Sequence, residues 1–318
     1  MKSKILCIGS ATEDIFVKTS EFHFRKSQSK KGTDLCLKLG KKFDIEEIHF
    51  DYGGGALNTS LGFKKMDFDT NVLISLGNDS TAKKIEIILK MEKINAIKVP
   101  SEQATGFSII FRKPKGERTI MTYRGANNDW HENKIDWNKL KKMNWFYISS
   151  FGTNEKFLEK IADFCKKNKI KLAFNPGASQ RKLGLDKLKK VVKECYTIIL
   201  NKEEITEWTK KSNEMDAMRE LNEIGTKIVV VTDGRKGSKA FNGKKFFKQK
   251  GFEIERKDVT GAGDAFSVGF IAGMENKKNI DYALKTGTAN ACSTITKIGA
   301  HNGILSFKEA KKFVKKCD

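Results

Sequence analysis

Short apolar runs alternate with longer amphipathic stretches along most of this chain. Ile5–Ile8, Asn71–Leu76, Trp145–Ser149, Lys171–Phe174, Thr197–Leu200 and Lys227–Val231 are brief, apolar and bounded by polar residues. Such runs predict strands buried on both faces. Between them, Ala56–Lys65, Ala82–Glu92, Glu155–Lys167, Asp186–Lys193, Glu203–Lys210 and Asp216–Ile224 carry helical periodicity. The last third, Ala262–Met274, Ile280–Thr294 and Phe307–Lys316, also predicts helices. Strands alternating with helices predict an α/β fold of three layers, with helices on both faces of a mostly parallel sheet.

Two regions break this rhythm. Residues 12–52 hold Ile15–Val17, Leu35–Leu39 and Ile45–Phe50 with almost no helical period. Residues 98–125 hold Gly106–Phe111 and Arg118–Thr122, joined by a turn signal at Lys113-Pro-Lys-Gly116. Together they predict four or five strands outside the main sheet, either a small β-sheet lid or ordinary edge hairpins. The organisation expected is one domain over 1–318, with lid segments at about 12–52 and 98–125 inserted in it. No internal repeat or low-complexity linker divides the chain.

Composition changes this picture little. Of 318 residues, 39% are hydrophobic, enough for a large core. The formal net charge is +22, but the lysines are scattered and do not interleave with aromatics. They read as a solvated surface with a general attraction for anionic substrates, not as a specific nucleic-acid site. The six cysteines have no paired spacing, which excludes a CxxC zinc or redox motif and fits a reducing cytoplasm. No apolar run is long enough to cross a membrane, and no signal peptide precedes the first strand-like segment.

The chemistry concentrates in Thr260-Gly-Ala-Gly-Asp264, just ahead of an apolar helical pattern. Small residues there leave the first N–H groups of the helix open, and with the helix dipole these bind anions. Asp264 reads in two ways. It is an N-cap after a glycine loop, or a base that takes the proton of an attacking hydroxyl while the Gly261, Ala262 and Gly263 amides hold developing charge. No Lys-Ser/Thr follows, so this is not a Walker A loop. A second cluster, Gly53-Gly-Gly-Ala-Leu-Asn58, opens another helix. It is a tight turn or a surface on which a hydroxyl-rich ligand meets the backbone and the Asn58 amide.

At this point the chain resembles the PfkB, or ribokinase-like, carbohydrate kinase family. Asp258-Val-Thr-Gly-Ala-Gly-Asp-Ala-Phe266 is similar to its C-terminal signature nearly residue for residue, and Gly53–Asn58 to its N-terminal one. Asn201-Lys-Glu-Glu204 is similar to the family's N-x-x-E motif, and Val231–Gly237 to its nucleotide-holding turn. The motifs occur in the family's order over essentially the whole chain.

The resemblance implies a ribokinase-like fold and transfer of the γ-phosphoryl group of ATP, with Mg²⁺, to a hydroxyl. Asp264 takes the place of the base and Gly261, Ala262 and Gly263 of the anion hole. Asp14, Gly53, Gly54 and Asn58 match the substrate side. Asn201, Glu204, Thr232, Gly234 and Gly237 match the nucleotide side, with Glu204 organising Mg²⁺ through water. Asp258, Thr260 and the backbone oxygen of Gly299 match ligands of a monovalent cation, usually K⁺, in several relatives; Asp258 reads equally as a structural cap. The family's late-helix Asn near adenine falls on Thr288 here, and Asn290, two residues on, is assigned that role. The ribokinase-type Lys in the first glycine cluster is Gly55, and no ribokinase-type Glu follows Ser149. Arg124 is placed to reach a substrate's acidic group or to lie exposed on the lid. The expected acceptor is a sugar, of ribokinase or fructokinase type. A nucleoside acceptor, or a non-catalytic sugar or nucleotide sensor, remains as the alternative. The lid is expected to pair two subunits in a homodimer.

Overall fold

The computed structural model describes residues 2–27, 33–112, 118–277 and 279–317. The expected turn at Lys113–Gly116 lies outside them. In chain order the strands are Lys4–Ile8 (β1), Thr12–Lys18 (β2), His23–Lys26 (β3), Thr33–Cys36 (β4), Glu47–Gly53 (β5), Asp69–Leu76 (β6) and Asn95–Pro100 (β7). Gly106–Arg112 (β8), Arg118–Tyr123 (β9), Trp145–Ile148 (β10), Lys171–Phe174 (β11) and Thr197–Asn201 (β12) follow. Ile228–Thr232 (β13), Ser238–Phe241 (β14) and Phe246–Gln249 (β15) complete the set.

Among the described residues, nine strands form the main sheet, ordered β15-β14-β13-β12-β11-β10-β1-β6-β7. The seven strands from β13 to β7 run parallel, and the β14–β15 hairpin closes one edge in antiparallel fashion. Side-chain alternation sorts each strand between two cores. Leu6 and Ile8 of β1 face one layer of helices, with Phe146, Leu172 and Val229 beside them. Ile5 and Cys7 face the other, with Val72, Tyr147 and Val230.

Helix Glu155–Lys167 shows how the sequence specifies one layer. Asn154 caps it by accepting a hydrogen bond from the Phe157 amide at 3.0 Å. Phe157, Leu158, Ile161, Ala162 and Cys165 then fall on one buried face. Burying each large apolar side chain contributes ~1.5–3 kcal/mol, so a charge at Ile161 would break this layer. The opposite layer holds the two helices with the glycine-rich starts, Gly55–Lys65 and Ala262–Lys277, packed on each other and on helix Ile280–Thr294.

The second sheet has the order β5-β2-β8-β9 and stands apart from the first. It is the expected lid. Its boundary differs at one point: Asn95–Pro100 pairs with β6 in the main sheet, so the second lid segment begins nearer Gly106. Pro100 is tolerated there because β7 is the sheet's edge strand. A separate β3–β4 hairpin accompanies the lid. No described helix is long and apolar enough to cross a membrane.

Candidate active site

The turns after β1 and β13 lie at the carboxyl ends of parallel strands, where α/β sheets bind ligands. β1 leads into Ser10, whose backbone oxygen accepts from the Ala56 amide at 3.0 Å and whose Oγ accepts from Gly55 at 3.1 Å. These bonds fix the start of helix Gly55–Lys65 against the β1–β2 turn. Gly54, at φ 95°, approaches so closely that a Cβ there would lie 2.5 Å from the Ser10 oxygen. A Cβ on Gly53 would strike the Asp14 carboxylate. The first glycine cluster therefore serves close approach, and one of the groups it approaches is Asp14.

Asn58, one turn into that helix, donates from Nδ2 to Asp264 Oδ2 at 2.9 Å. This bond spans 206 residues of sequence and joins the two glycine signatures. The Asn58 Oδ1 atom is buried without a hydrogen-bond partner among the described residues. An orphaned acceptor of this kind is costly unless a ligand hydroxyl fills it.

Asp264 lies in the first turn of helix Ala262–Lys277. Gly261, at φ 74°, packs so tightly on the backbone of Ala300 that a Cβ would collide with it. The first N–H groups of a helix have no intrahelical acceptor. The Ala262 amide is spent, at 3.4 Å, on the Val259 oxygen. Ala262 is thus less suited than Gly261 or Gly263 to offer its N–H to an anion. Gly263 is exposed, with nothing near the position of its absent Cβ. Burial pushes the Asp264 carboxyl up to about 6, against the lowering effect of the Asn58 bond. Such a carboxylate is ionised at neutral pH yet more basic than an ordinary one, which suits a proton acceptor.

Asp14 projects from β2 of the lid, in register with Asp51 of β5 and Ser108 of β8. Burial raises its carboxyl to about 6, and the Asp51 charge adds to this. Hydrogen bonds from Ser108 and Thr12 and the charge of Arg118 oppose it. Ser108, Asp51 and Arg118 were not foreseen, because cross-strand register is needed to bring them to Asp14.

Beside Gly263 a cleft of about 180 Å³ opens. Its walls include Thr232, Gly234 and Gly237, as expected, together with Phe252, Arg256, Ala262, Gly263, Phe266, Thr288 and Ile295. Apolar walls with basic groups at the rim suit a flat heterocycle bearing phosphates. Asn290 is a correction. It is fully buried, donating to the Ala265 oxygen at 2.6 Å and accepting from the Leu305 amide at 2.8 Å. Both ends of its amide are spent on backbone, and Thr288, two residues earlier, lines the cleft instead.

Asn201 ends β12, in register with Thr232, and Glu204 lies in the first turn of the helix that follows. They form a capping box: Asn201 accepts from the Glu204 amide at 2.8 Å, and Glu204 Oε2 accepts from the Asn201 amide at 3.0 Å. Glu204 Oε1 lies 3.0 Å from Arg181. With both oxygens engaged, Glu204 is suited to hold Mg²⁺ through water, not directly.

Asp258, Thr260 and Gly299 also come together, but as a hydrogen-bonded loop. Asp258 Oδ1 accepts from the Thr260 amide at 3.0 Å and from Thr260 Oγ1 at 2.6 Å. Gly299 contributes its N–H, at 3.2 Å from Asp258 Oδ2. The lid residue Arg118 places Nη1 3.5 Å from Asp258 Oδ1. Arg124, by contrast, forms no ion pair among the described residues.

A family model described as pfkB family carbohydrate kinase matches residues 2–306. The chain belongs to the PfkB family of carbohydrate kinases. Ribokinase from Haemophilus influenzae is 25% identical to this PfkB-family chain over 283 residues, covering 87% of this chain and 92% of the relative. A structure of Arabidopsis thaliana ribokinase complexed with ribose and ATP superposes with a TM-score of 0.83, at 20% identity and 99% coverage of both chains. The nucleoside kinase of Methanocaldococcus jannaschii, an archaeal member of the ribokinase family, gives 0.79 at 20% identity, covering 99% and 98%. The fold of this PfkB-family chain is therefore ribokinase-like, with a large mostly parallel sheet and a small separate one.

Proposed function

We propose that this chain transfers the γ-phosphoryl group of ATP to a hydroxyl of a sugar. The observation that carries this is the Asn58–Asp264 bond. It sets a basic carboxylate at a helix start, one residue from Gly263 in the wall of the apolar cleft. The acceptor lies against Gly53 and Gly54, with hydroxyls bound by Asp14 and by the orphaned Asn58 oxygen. Asp264 takes the proton from the attacking hydroxyl. The Gly261 and Gly263 amides and the helix dipole hold the charge on the transferring group. Thr232, Gly234, Gly237 and Thr288 seat the nucleotide. Asn201 and Glu204 stand where water-bound Mg²⁺ would be held, and that ion supplies neutralisation of the phosphate charge. The lid excludes water from the reacting groups.

The lid also supports pairing of two subunits. Its outer face carries a continuous apolar row, Phe50-Ile15-Ile109-Met121, set by the strand registers, and Phe50 and Met121 are exposed. A patch of this kind on a soluble surface marks an interface. A monomer in sedimentation, unchanged by Phe50→Glu, would remove this part.

The decisive assay offers ATP-Mg with a panel of sugars, sugar phosphates and nucleosides. A sugar turned over by the wild type and not by Asp264→Asn supports the proposal. Preference for a nucleoside moves the chain to the neighbouring kinase class. No turnover of any acceptor, with sugar or nucleotide still bound, makes it a sensor.

A further inference from the structure

The loop that carries the anion hole is pinned through Asp258. That carboxylate is nearly enclosed, 6% exposed, and sits two residues before Thr260 and six before Asp264. A buried carboxylate requires hydrogen bonds and a compensating positive charge. The hydrogen bonds come from Thr260 and Gly299. A positive charge comes from the lid: Arg118 Nη1 lies 3.5 Å from Oδ1, the oxygen that Thr260 also engages. The Asp51 carboxylate, also on the lid, comes within 2.7 Å of where a Cβ on Gly299 would stand. Both sides of this loop therefore meet the lid.

A monovalent cation does not fit this arrangement. The Asp258 carboxylate, the charged group such an ion would need, is already engaged: Oδ2 accepts from the Gly299 N–H at 3.2 Å. Oδ1 already faces two donors from Thr260 and a guanidinium. A second positive charge beside Arg118 would be repelled in a partly buried setting, where charges are weakly screened.

We infer that Arg118 is a positioning residue that supplies, from the lid, the charge a bound monovalent cation would otherwise supply beside the anion-hole loop. This kinase then needs no monovalent cation, and lid closure itself shapes the loop that holds the transferring phosphoryl group. The inference rests on the kinase reading for its catalytic consequence, while the cation preference of the folded protein can be read without turnover.

The test compares wild type, Arg118→Gln and Arg118→Lys in potassium chloride and in choline chloride at matched ionic strength. Thermal unfolding is followed first. Wild type and Arg118→Lys should melt alike in both salts, and Arg118→Gln should be stabilised selectively by potassium. With an acceptor identified, Arg118→Gln should lose about tenfold in kcat with little change in KM for ATP, an effect smaller than loss of a direct oxyanion donor. Potassium or added guanidinium should restore most of that rate. Potassium activation or stabilisation of the wild type would overturn the inference. So would an Arg118→Gln variant whose melting and rate respond equally to both salts, or whose only defect is a raised KM for the acceptor. Absence of turnover in the wild type counts against the kinase reading alone, because the melting comparison still decides the role of Arg118.

Discussion

The two buried carboxylates that face the proposed acceptor differ in what surrounds them. Asp264 is held by the body of the protein: a helix start, the Gly261 turn and the Asn58 amide. Asp14 is held by the lid, between Asp51 and Ser108 on neighbouring strands, with the field of Arg118 upon it. Both are raised to about 6 by burial. For Asp264 the hydrogen-bond partner, Asn58, lies on a helix of the main body. Asp14 and its partners belong to a sheet that stands apart from the main one. On the proposed function, the chemical step would rest on the main body and recognition of the acceptor on the part positioned by strand pairing.

The largest effect that tests this division is at Asp264. Asp264→Asn should lower kcat by ~10²–10⁴-fold, the usual contribution of a general base, with KM for ATP little changed. The same variant should be more stable. A carboxyl raised to about 6 in the folded state, against about 3.9 unfolded, binds its proton more tightly when folded. Its stabilising contribution is present below pH ~4 and is lost as pH rises through about 6. At neutral pH, Asn keeps an acceptor for Asn58 without the buried charge, so the melting temperature should rise. A melting point that falls would show that the carboxylate is not held at a cost.

Next comes Asp14→Asn. Hydrogen bonds to a charged group contribute ~1.5–3 kcal/mol, so KM for the acceptor should rise by about one to two orders of magnitude with kcat less affected. An equal loss in kcat would merge the two sides of the comparison. A smaller contrast lies in helix Ile280–Thr294. Asn290→Ala leaves the Leu305 amide without its acceptor, at a cost of ~1–3 kcal/mol, and removes a second donor from the Ala265 oxygen. It should lower the melting temperature and leave KM for ATP unchanged. Thr288→Phe should fill the cleft and raise that KM with less loss of stability. The smallest effect is a pH shift. The Asn58 bond lowers the Asp264 pKa, so Asn58→Ala should move the acid limb of kcat/KM from near pH 6 to higher pH. An acid limb that stays in place would mean that another group sets it.

Much of this was legible in the chain. Helices Glu155–Lys167 and Ile280–Thr294 begin and end at the expected residues, because caps and apolar period agree there. The β14–β15 hairpin was passed over, although Asn242-Gly243 between Phe241 and Lys244 is a hairpin signal. The expectation for Asn290 fails because Thr288, which lines the cleft, is two residues away, and two residues on a helix is half a turn. The turn between an amide facing a ligand and one tying Ala265 to Leu305 is set by packing alone.

Local chemistry was enough to place most helices, to mark where glycine lets backbones meet, and to put a carboxylate in the first turn after a glycine-rich helix start. These are properties of neighbouring residues, written in short motifs. The approach of Asn58 to Asp264, of Ser108 and Asp51 to Asp14, and of Arg118 to Asp258 was decided only by the tertiary structure. Each joins residues tens to hundreds of positions apart, and no local pattern encodes their distance. Strand register and helix rotation set them, and both follow from how two faces of one sheet bury their apolar side chains.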